Sequence, residues 1–335
     1  MIHRTVFLFR VSLLAALLIS VRAFGCDLCG CYIGVLPYDN QSAIGLMHRY
    51  RIFSGYSTVN GTIFPSGAYR VSPAMSALHG TGTTTPSSKD FESYKVVELR
   101  GKWFVHPRLE LNLILPYVDN RSQSGTIRTR ASGIGDMTLL AGYHLVKKLG
   151  DEGFRHRLVI GAGVKLPTGN ASVTDDDGER LDFMQQTGTG STDGIVYLAY
   201  TGGGRQLRWG ATSSVKFSGT NRYGEQITPA TNTTMSGGYL LTLHRWNFLP
   251  QVQLYQEFMQ GVRYGAGLLP GTGMNCLLGG PALSVFRGQL TIDAGLQLRL
   301  YDRTQDDNLL NKARMFFGVS WSFNQDKFLL HSKNN

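Results

Sequence analysis

The segment from Gln289 to Tyr301 alternates between apolar and polar positions, and this periodicity constrains the fold more than any other feature of the chain. Every second residue is apolar, whereas the positions between them include Asp293, Gln297 and Arg299. A two-faced strand of this length can cross a bilayer when tilted. A soluble sandwich buries the apolar face against a second sheet, whereas a transmembrane barrel turns it outward to lipid. Periodicity alone therefore leaves two folds open.

The composition favours an all-β chain. The 335 residues include 41 Gly, 15 Tyr and 17 Phe, which suits strands joined by tight turns. The mean hydropathy of -0.11 is too polar for a helical membrane protein. The formal net charge is +10, but the basic residues are scattered singly and form no run of five. Because nucleic-acid binding needs a clustered basic patch, the sequence predicts no nucleic-acid partner.

The N-terminus reads as a secretory signal peptide. Arg4 and Arg10 precede an apolar run from Val11 to Val21, which is too short to cross a membrane as a helix, and Ala23 is a small residue suited to cleavage. We therefore assign residues 1–23 to the signal peptide and expect the mature chain to leave the cytoplasm. Without a second long apolar run, it is either soluble outside the inner membrane or a barrel.

The lengths of the connections decide between these two classes. Short connections such as His106-Pro-Arg108 and Arg287-Gly288 alternate with long ones such as 57–92 and 119–132. Outer-membrane barrels have this pattern, because their periplasmic turns are short and their outer loops are long. The strand-like segments run roughly over 43–56, 93–105, 109–118, 133–147, 155–167, 191–201, 205–218, 235–246, 248–260, 275–286, 289–301 and 312–323.

The sequence therefore predicts a closed antiparallel up-and-down transmembrane β-barrel of about twelve strands in the outer membrane of a Gram-negative bacterium. The barrel spans residues 43–323 and carries a tail over 324–335. Both termini fall on the periplasmic side, and aromatic residues near strand ends, including Trp103, Trp209 and Trp246, are expected to form girdles in the lipid of the outer membrane. The alternative is a soluble jelly roll or lipocalin-like barrel.

The inward faces of these strands carry charges of both signs. Two interpretations remain open: a narrow conduit whose charges set its preference, or a packed ladder of ion pairs with little flow. The residues predicted to line the lumen are Glu98, Arg100, Lys102, Glu110, Asp136, His144, Lys165, Arg208, Lys216, Glu257, Asp293 and Arg299.

No catalytic site is predicted. His144 and Asp136 share a face of one predicted strand but are too far apart along it for direct contact. A Ser-His-acid site would need a third partner at a matching height, and no motif supplies one.

The sharpest local motif is Cys26-Asp-Leu-Cys29-Gly-Cys31, within a segment over 24–42 that is a candidate plug for the lumen. Three thiols in six residues can converge on a soft metal such as Cu or Zn, with Cys276, His48, water or a partner completing the site. A disulfide suits an oxidising periplasm equally well, and lipid modification of Cys26 is a further alternative. No cofactor is therefore certain.

Three segments resemble the outer-membrane barrel family of the meta-pathway of phenol degradation, which is loosely related to fatty-acid-transporter-like barrels. They are Gly133-Ile-Gly-Asp-Met-Thr-Leu-Leu-Ala-Gly-Tyr143, Gly163-Val-Lys-Leu-Pro-Thr-Gly169 and Gly188-Thr-Gly-Ser-Thr-Asp193. The opening Cys26 to Cys31 motif, followed by Tyr32 to Pro37, resembles a subset of such barrels.

The resemblance implies passage of a small solute, often an apolar one, across the outer membrane. The solute is expected to be hydrophobic, aromatic or linked to a metal. The competing hypothesis is a barrel that anchors a binding or structural protein, whose thiols hold a soft metal or dock a periplasmic partner.

Overall fold

The computed structural model describes residues 41–57, 67–68, 90–148, 154–204, 206–269, 272–302 and 309–323. The predicted signal peptide, the tail over 324–335 and nearly all of the predicted plug lie outside these residues, as do Cys26, Cys29 and Cys31. Within the described part, no helix is both long enough and apolar enough to cross a membrane.

The described chain forms a closed barrel of twelve antiparallel strands, as predicted. Each strand pairs with its neighbours in sequence, the first pairs with the last, and closure leaves no free edge. The strands are β1 Ser42–Ser57, β2 Phe91–His106, β3 Leu109–Ser124, β4 Met137–Lys148, β5 Arg155–Leu166, β6 Asp193–Gly203, β7 Leu207–Ser218, β8 Ala230–Tyr239, β9 Trp246–Met259, β10 Met274–Arg287, β11 Leu290–Asp302 and β12 Leu309–Phe323.

Several short strands and one 3-10 turn lie outside the twelve barrel strands. Gly67–Ala68 pairs with β1, Ile127–Ile134 with the end of β3, and Leu241–Leu243 with the start of β9. A small separate sheet joins Glu225–Ile227, Val262–Tyr264 and Gly267–Leu268, and one 3-10 turn spans Phe183–Gln185. We call the end that carries the short connections the short-turn end, and the opposite end the long-loop end.

Apolar side chains cover the outside of the barrel, and polar ones fill the inside. On β11 and β12, Leu298, Leu300 and Phe317 are exposed on the outer face, whereas Gln297 and Arg314 are fully buried on the inner face. Since the two faces alternate along each strand, this is the polarity that a bilayer demands and the reverse of a soluble protein.

All four tryptophans of the chain lie at the short-turn end, where β2 and β12 finish and β7 and β9 begin. They are Trp103, Trp209, Trp246 and Trp321. Trp side chains favour the boundary between lipid and water, so these four mark one rim of the apolar belt.

Three of the predicted strands have wrong boundaries. The predicted loop over 119–132 is a hairpin, in which β3 continues to Ser124 and Ile127–Ile134 returns beside it through Gly125 (φ +60°). Its residues lack an apolar face because the hairpin extends past the apolar belt. The predicted strand 133–147 is interrupted at Gly135 and Asp136.

The predicted strand 235–246 begins earlier, at Ala230, and ends at Tyr239. Asn232 and Thr234 belong to a polar run with no apolar alternation, yet both are buried on the inner face of β8. A barrel interior accepts a polar run that would weaken a soluble strand, because hydrogen-bonding partners line the lumen.

Candidate functional site

The carboxylate of Asp136 joins three separate stretches of chain at the long-loop end. Its Oδ1 accepts the backbone N–H of Gly169 at 3.0 Å, and its Oδ2 accepts the backbone N–H and the hydroxyl of Thr189, both at 2.8 Å. Lys165 Nζ also donates to Oδ2 at 2.6 Å. Charge-assisted bonds of this kind are the strong ones, and together they use both oxygens of the carboxylate.

Two glycines allow this close approach. A Cβ on Gly188 would lie 2.6 Å from the Cα of Gly169 and 2.6 Å from Oδ1 of Asp136, so only glycine fits at position 188. Beside them, the hydroxyl of Thr168 donates to the carbonyl of Gly135 and accepts the N–H of Met137, each at 2.8 Å. The three segments that carry the family resemblance therefore meet in one cluster, although they are far apart in sequence.

A second carboxylate extends this cluster along the wall. Asp193 lies 2.9 Å from Lys165 Nζ and 3.2 Å from Lys216 Nζ, and it accepts the hydroxyl of Ser191 at 2.7 Å. Both lysines and Asp193 are buried. The lysines are therefore held between carboxylates rather than exposed to a wide aqueous pore.

The connection between β5 and β6, residues 167–192, crosses the mouth of the barrel, and we call it the mouth loop. Phe183 and Met184 pack against a buried apolar cluster that is built from the inner wall and the neighbouring loops. The amide of Asn120 on β3 donates to the carbonyls of Gln185 and Gln186, each at 3.1 Å. The buried members of that cluster are Leu140, Val159, Ile195, Tyr197, Ile227, Ala230, Met259 and Val262.

A neighbouring loop covers the mouth loop from outside. Arg180 makes a two-pronged pair with Glu225, with both nitrogen–oxygen distances at 2.8 Å, and its guanidinium lies 3.8 Å from the ring centroid of Tyr223. Asn221 donates to the carbonyl of Thr189 at 3.0 Å. The contacts of Arg180 hold the mouth loop at a position remote from Asp136, whereas that of Asn221 lies beside Asp136, at Thr189.

Under the mouth loop lies a cavity of about 880 Å³, open to solvent, which we call the outer chamber. Phe183 and Met184 form one side of it, and Tyr94 and Val96 of β2 lie on its wall. Cationic side chains also line it: Arg49, Arg51, Lys165 and Arg314. A largely apolar concave surface with a few charged groups is typical of a site for a small organic molecule.

Ion pairs cross the wall at the middle of the barrel. Glu98 of β2 is fully buried and pairs with Arg49 and Arg100 at once. On the adjoining part of the wall, where β12 pairs with β1, Arg314 Nη1 donates to Gln297 at 2.8 Å, and Gln297 donates to Gln253 at 3.0 Å. Because these partners lie along the wall on the same or nearby strands, they form a girdle rather than an open ring of charge.

Below this girdle lies a second cavity, the inner chamber, of about 1110 Å³. It shares no lining residue with the outer chamber. Its lining mixes apolar side chains, such as Ile114 and Phe316, with polar ones, such as Gln251 and Ser284, and Ser284 donates its hydroxyl to Asp293. Both chambers are therefore lined by apolar and polar groups together.

A third charged cluster lies at the short-turn end. Glu110 accepts Lys102 at 2.9 Å and contacts Nε2 of His144 at 3.0 Å. His144 is fully buried. His144 and Asp136 thus belong to clusters at opposite ends of the barrel, and Asp136 lies in the break before β4 rather than within a strand.

The remaining predicted lumen residues are dispersed. Glu257 is fully buried and pairs with Arg51 at 2.6 Å, near the long-loop end. Arg208 donates to the carbonyl of Gly204 in a short turn. Arg299 lies opposite Leu278 on β10. The structure thus gathers the predicted residues into several clusters and not into one site.

Cys276 is a buried free thiol near the long-loop end. Arg51 Nη2 lies 3.5 Å from its sulfur and 3.3 Å from that of Met274. His48 is exposed on the outer face of β1 and therefore points away from this thiol. Among the described residues, no three His, Cys, Asp or Glu side chains form a group that could hold a metal ion.

Several residues of these clusters escaped the sequence prediction, namely Arg49, Arg51, Asp193 and Arg314. Arg49 and Arg51 lie on the polar face of the first predicted strand, and Arg314 on that of the last, so the same alternation could have identified them. Phe183 and Met184 carried no such signal, because only the fold brings their loop to the mouth.

The model of the family described as "Putative MetA-pathway of phenol degradation" matches residues 82–306 of the chain. Among solved structures, an outer membrane channel from Pseudomonas putida F1 is similar, with a TM-score of 0.59, 15% identity, and coverage of 87% of this chain and 100% of that chain. At that identity the match shows the fold alone, which is the fold of an outer-membrane barrel.

Two further solved structures are less similar. The β domain of the Bordetella autotransporter BrkA has a TM-score of 0.45 and 12% identity, covering 85% of this chain and 100% of that one. A Pseudomonas aeruginosa FadL homologue has a TM-score of 0.33 and 12% identity, covering 85% and 90%. Among curated proteins, none matches the chain.

Proposed function

This chain belongs to the family of the MetA-pathway of phenol degradation, and from that membership we propose that it is a channel for a small solute in the outer membrane of a Gram-negative bacterium. One observation carries the proposal: a barrel with an apolar outside encloses two chambers at successive heights. With the short turns on the periplasmic side, a solute meets the outer chamber first and the inner chamber second.

We propose that the solute is small and partly hydrophobic, with aromatic compounds as the first candidates. Phe183, Met184 and Val96 offer apolar contact in the outer chamber, and Arg51 offers a charge beside it. The inner chamber adds polar groups, among them Gln251 and Ser284, beside its apolar lining. A solute with an apolar body and one polar group satisfies both chambers.

Liposome swelling and planar-bilayer conductance test this proposal directly. Purified protein is reconstituted and challenged with a panel of aromatic, fatty and metal solutes. We expect faster swelling with small aromatic solutes than with protein-free liposomes, and a slower rate for Met184→Trp, which narrows the outer chamber. Asp119→Asn is the matched control, because Asp119 pairs with Arg121 and Arg130 outside both chambers. A permeability equal to that of protein-free liposomes for every solute would reject a channel.

The N-terminal segment over 24–42 is proposed to plug or gate the lumen. It precedes β1, which begins at the short-turn end. Deleting 24–42 should therefore raise single-channel conductance. An unchanged conductance would contradict the plug while leaving the channel intact.

The alternative is a barrel that anchors a binding protein, in which Cys26, Cys29 and Cys31 hold Cu or Zn or dock a periplasmic partner. Native mass spectrometry of protein purified under reducing, anaerobic conditions separates the two. Stoichiometric metal that is lost in Cys29→Ser supports the binding protein. A metal-free, disulfide-bonded form rejects the metal site.

A further inference from the structure

We propose that Asp136 is a positioning residue for solute selection, which holds the mouth loop so that Phe183 and Met184 set which solutes enter the outer chamber. The inference rests on the proposed channel function and goes beyond it, since it assigns solute selectivity to the mouth loop and not to the charged residues of the strands. Asp136 and the two apolar side chains all line the outer chamber.

The two ends of the mouth loop are held together by Asp136, in addition to the contacts along the length of the loop. Between Gly169 and Thr189 the regular structure is one isolated bridge between Thr174 and Arg180 and the single turn Phe183–Gln185. So little regular structure does not fix a loop of this length in place, and tertiary contacts must do so. Asp136 binds both ends, at Gly169 and at Thr189.

A carboxylate is needed at this position. Oδ1 accepts one backbone N–H, and Oδ2 accepts a backbone N–H, a hydroxyl and the ammonium of Lys165. The amide of asparagine has the same shape but only one acceptor atom, so its NH₂ group would face a donor on one side. Asp136→Asn therefore loses part of the hydrogen bonding that holds the two ends of the mouth loop, and it leaves Lys165 paired with Asp193.

Phe183 and Met184 are placed to act on a solute. Both line the outer chamber, and both pack on the apolar cluster of the inner wall. The opposite side of the chamber carries Arg49 and Arg51. Removing the ring of Phe183 widens the entrance without touching a charge, so any change in selectivity reports on shape and apolar contact.

The experiment compares wild-type protein with Asp136→Asn, Phe183→Ala and the control Asp119→Asn, each folded in detergent and reconstituted. Hydrogen exchange of residues 170–187 measures how firmly the mouth loop is held. The backbone N–H groups of Leu181 and Gln185, which are hydrogen-bonded within the loop, serve as probes. We expect exchange in Asp136→Asn to be about tenfold faster, because the variant loses charge-assisted bonds to both ends of the loop. The control should exchange as the wild type does.

Selectivity is read as the ratio of the permeability for a bulky aromatic solute to that for a small ion. Asp136→Asn and Phe183→Ala should both raise this ratio, and Asp119→Asn should leave it unchanged. Thr189→Val removes the hydroxyl that donates to Asp136 and that also contacts Lys165 and Ser191, but it keeps the backbone N–H bond, so it should shift both readouts in the same direction by less. It replaces Asp136→Asn if that variant does not fold.

The two proposals fail in different ways. Unchanged exchange over 170–187 in Asp136→Asn overturns the positioning role, even if the protein conducts. Faster exchange with an unchanged permeability ratio overturns the role in selection. If exchange is faster in Asp136→Asn but neither the wild type nor any variant passes a solute, the role of Asp136 in holding the mouth loop is supported and the channel function is rejected.

Discussion

Tyr197 on β6 lies against the backbone of Gly161 on β5, on the inner wall of the barrel. A Cβ on Gly161 would stand 2.2 Å from Cε1 of the tyrosine ring, and a Cβ on Gly142 of β4 would stand 2.2 Å from its hydroxyl oxygen. Tyr197 is buried and belongs to the apolar cluster on which the mouth loop packs. One aromatic side chain thus spans two neighbouring strands, because glycine at both positions leaves the room.

Gly161→Ala should destabilise the barrel. The new methyl group forces the Tyr197 ring away from its place, and overpacking of this kind costs about 1–3 kcal/mol of unfolding free energy. Urea unfolding in micelles, followed by tryptophan fluorescence, measures the change. Gly194→Ala is the matched control, because a Cβ there meets no atom within 4 Å. Equal stability of the two variants would show that Tyr197 does not rely on Gly161.

Glu98→Gln should lower the stability more than the loss of a surface ion pair does. Glu98 is fully buried and serves both Arg49 and Arg100, so its neutralisation leaves two guanidinium groups with less compensation. Removing one partner of a buried pair costs about 3–5 kcal/mol. The same unfolding assay applies, with Asp119→Asn as the control, since the arginines that it pairs are largely exposed. A change no larger than in the control would contradict this reading of the girdle.

Leu296→Arg should destabilise the membrane-inserted barrel. Leu296 lies near the middle of β11 on the outer face. A charge at the midplane of a bilayer costs about 2–4 kcal/mol, whereas near the interface the cost is about 0–1 kcal/mol. Leu243→Arg, at the short-turn end, provides the interfacial comparison. Folding titrations into lipid vesicles measure both, and a similar cost at the two positions would argue against a lipid-facing belt.

Cys276 should resist thiol reagents in the folded barrel. Its sulfur is buried beneath Arg51 and Asn311, and buried structural thiols are inert. In a background where Cys26, Cys29 and Cys31 are Ser, maleimide labelling should occur only after unfolding. Ser236→Cys, which lines the inner chamber, should be labelled in the folded protein of the same background with Cys276→Ser. Rapid labelling of Cys276 in the folded state would contradict its burial.

The barrel itself could be predicted from the sequence, because its cause is local. The alternation of apolar and polar residues along one strand indicates which face contacts lipid. The alternation of short and long connections indicates at which end of the barrel each connection lies. The predicted strand boundaries are wrong where this alternation along the strand is absent. The hairpin around Gly125 extends past the apolar belt, and the start of β8, from Thr231 to Thr234, carries polar residues on both faces, so neither shows an apolar stripe.

The sequence names several charges of the candidate site but not their arrangement. It predicts Lys165, Asp136 and Glu98 as inward-facing charges, yet it pairs none of them. Their partners lie on neighbouring strands or on a returning loop, and the choice of partner depends on strand register. Shifting a register by one residue turns each inward side chain to the other face, so the pairs are undefined until the barrel closes.

The sequence by itself determined a closed barrel with an apolar outside and a charged inside. The reason is that the alternation of polarity along a strand directly decides which face contacts lipid and which contacts water. Only the tertiary structure decided that Asp136 gathers Gly169, Thr189 and Lys165, and that Phe183 and Met184 stand in the mouth. The physical reason is that a loop with little regular structure of its own takes its place from distant partners, and those partners become neighbours only once the strands are joined.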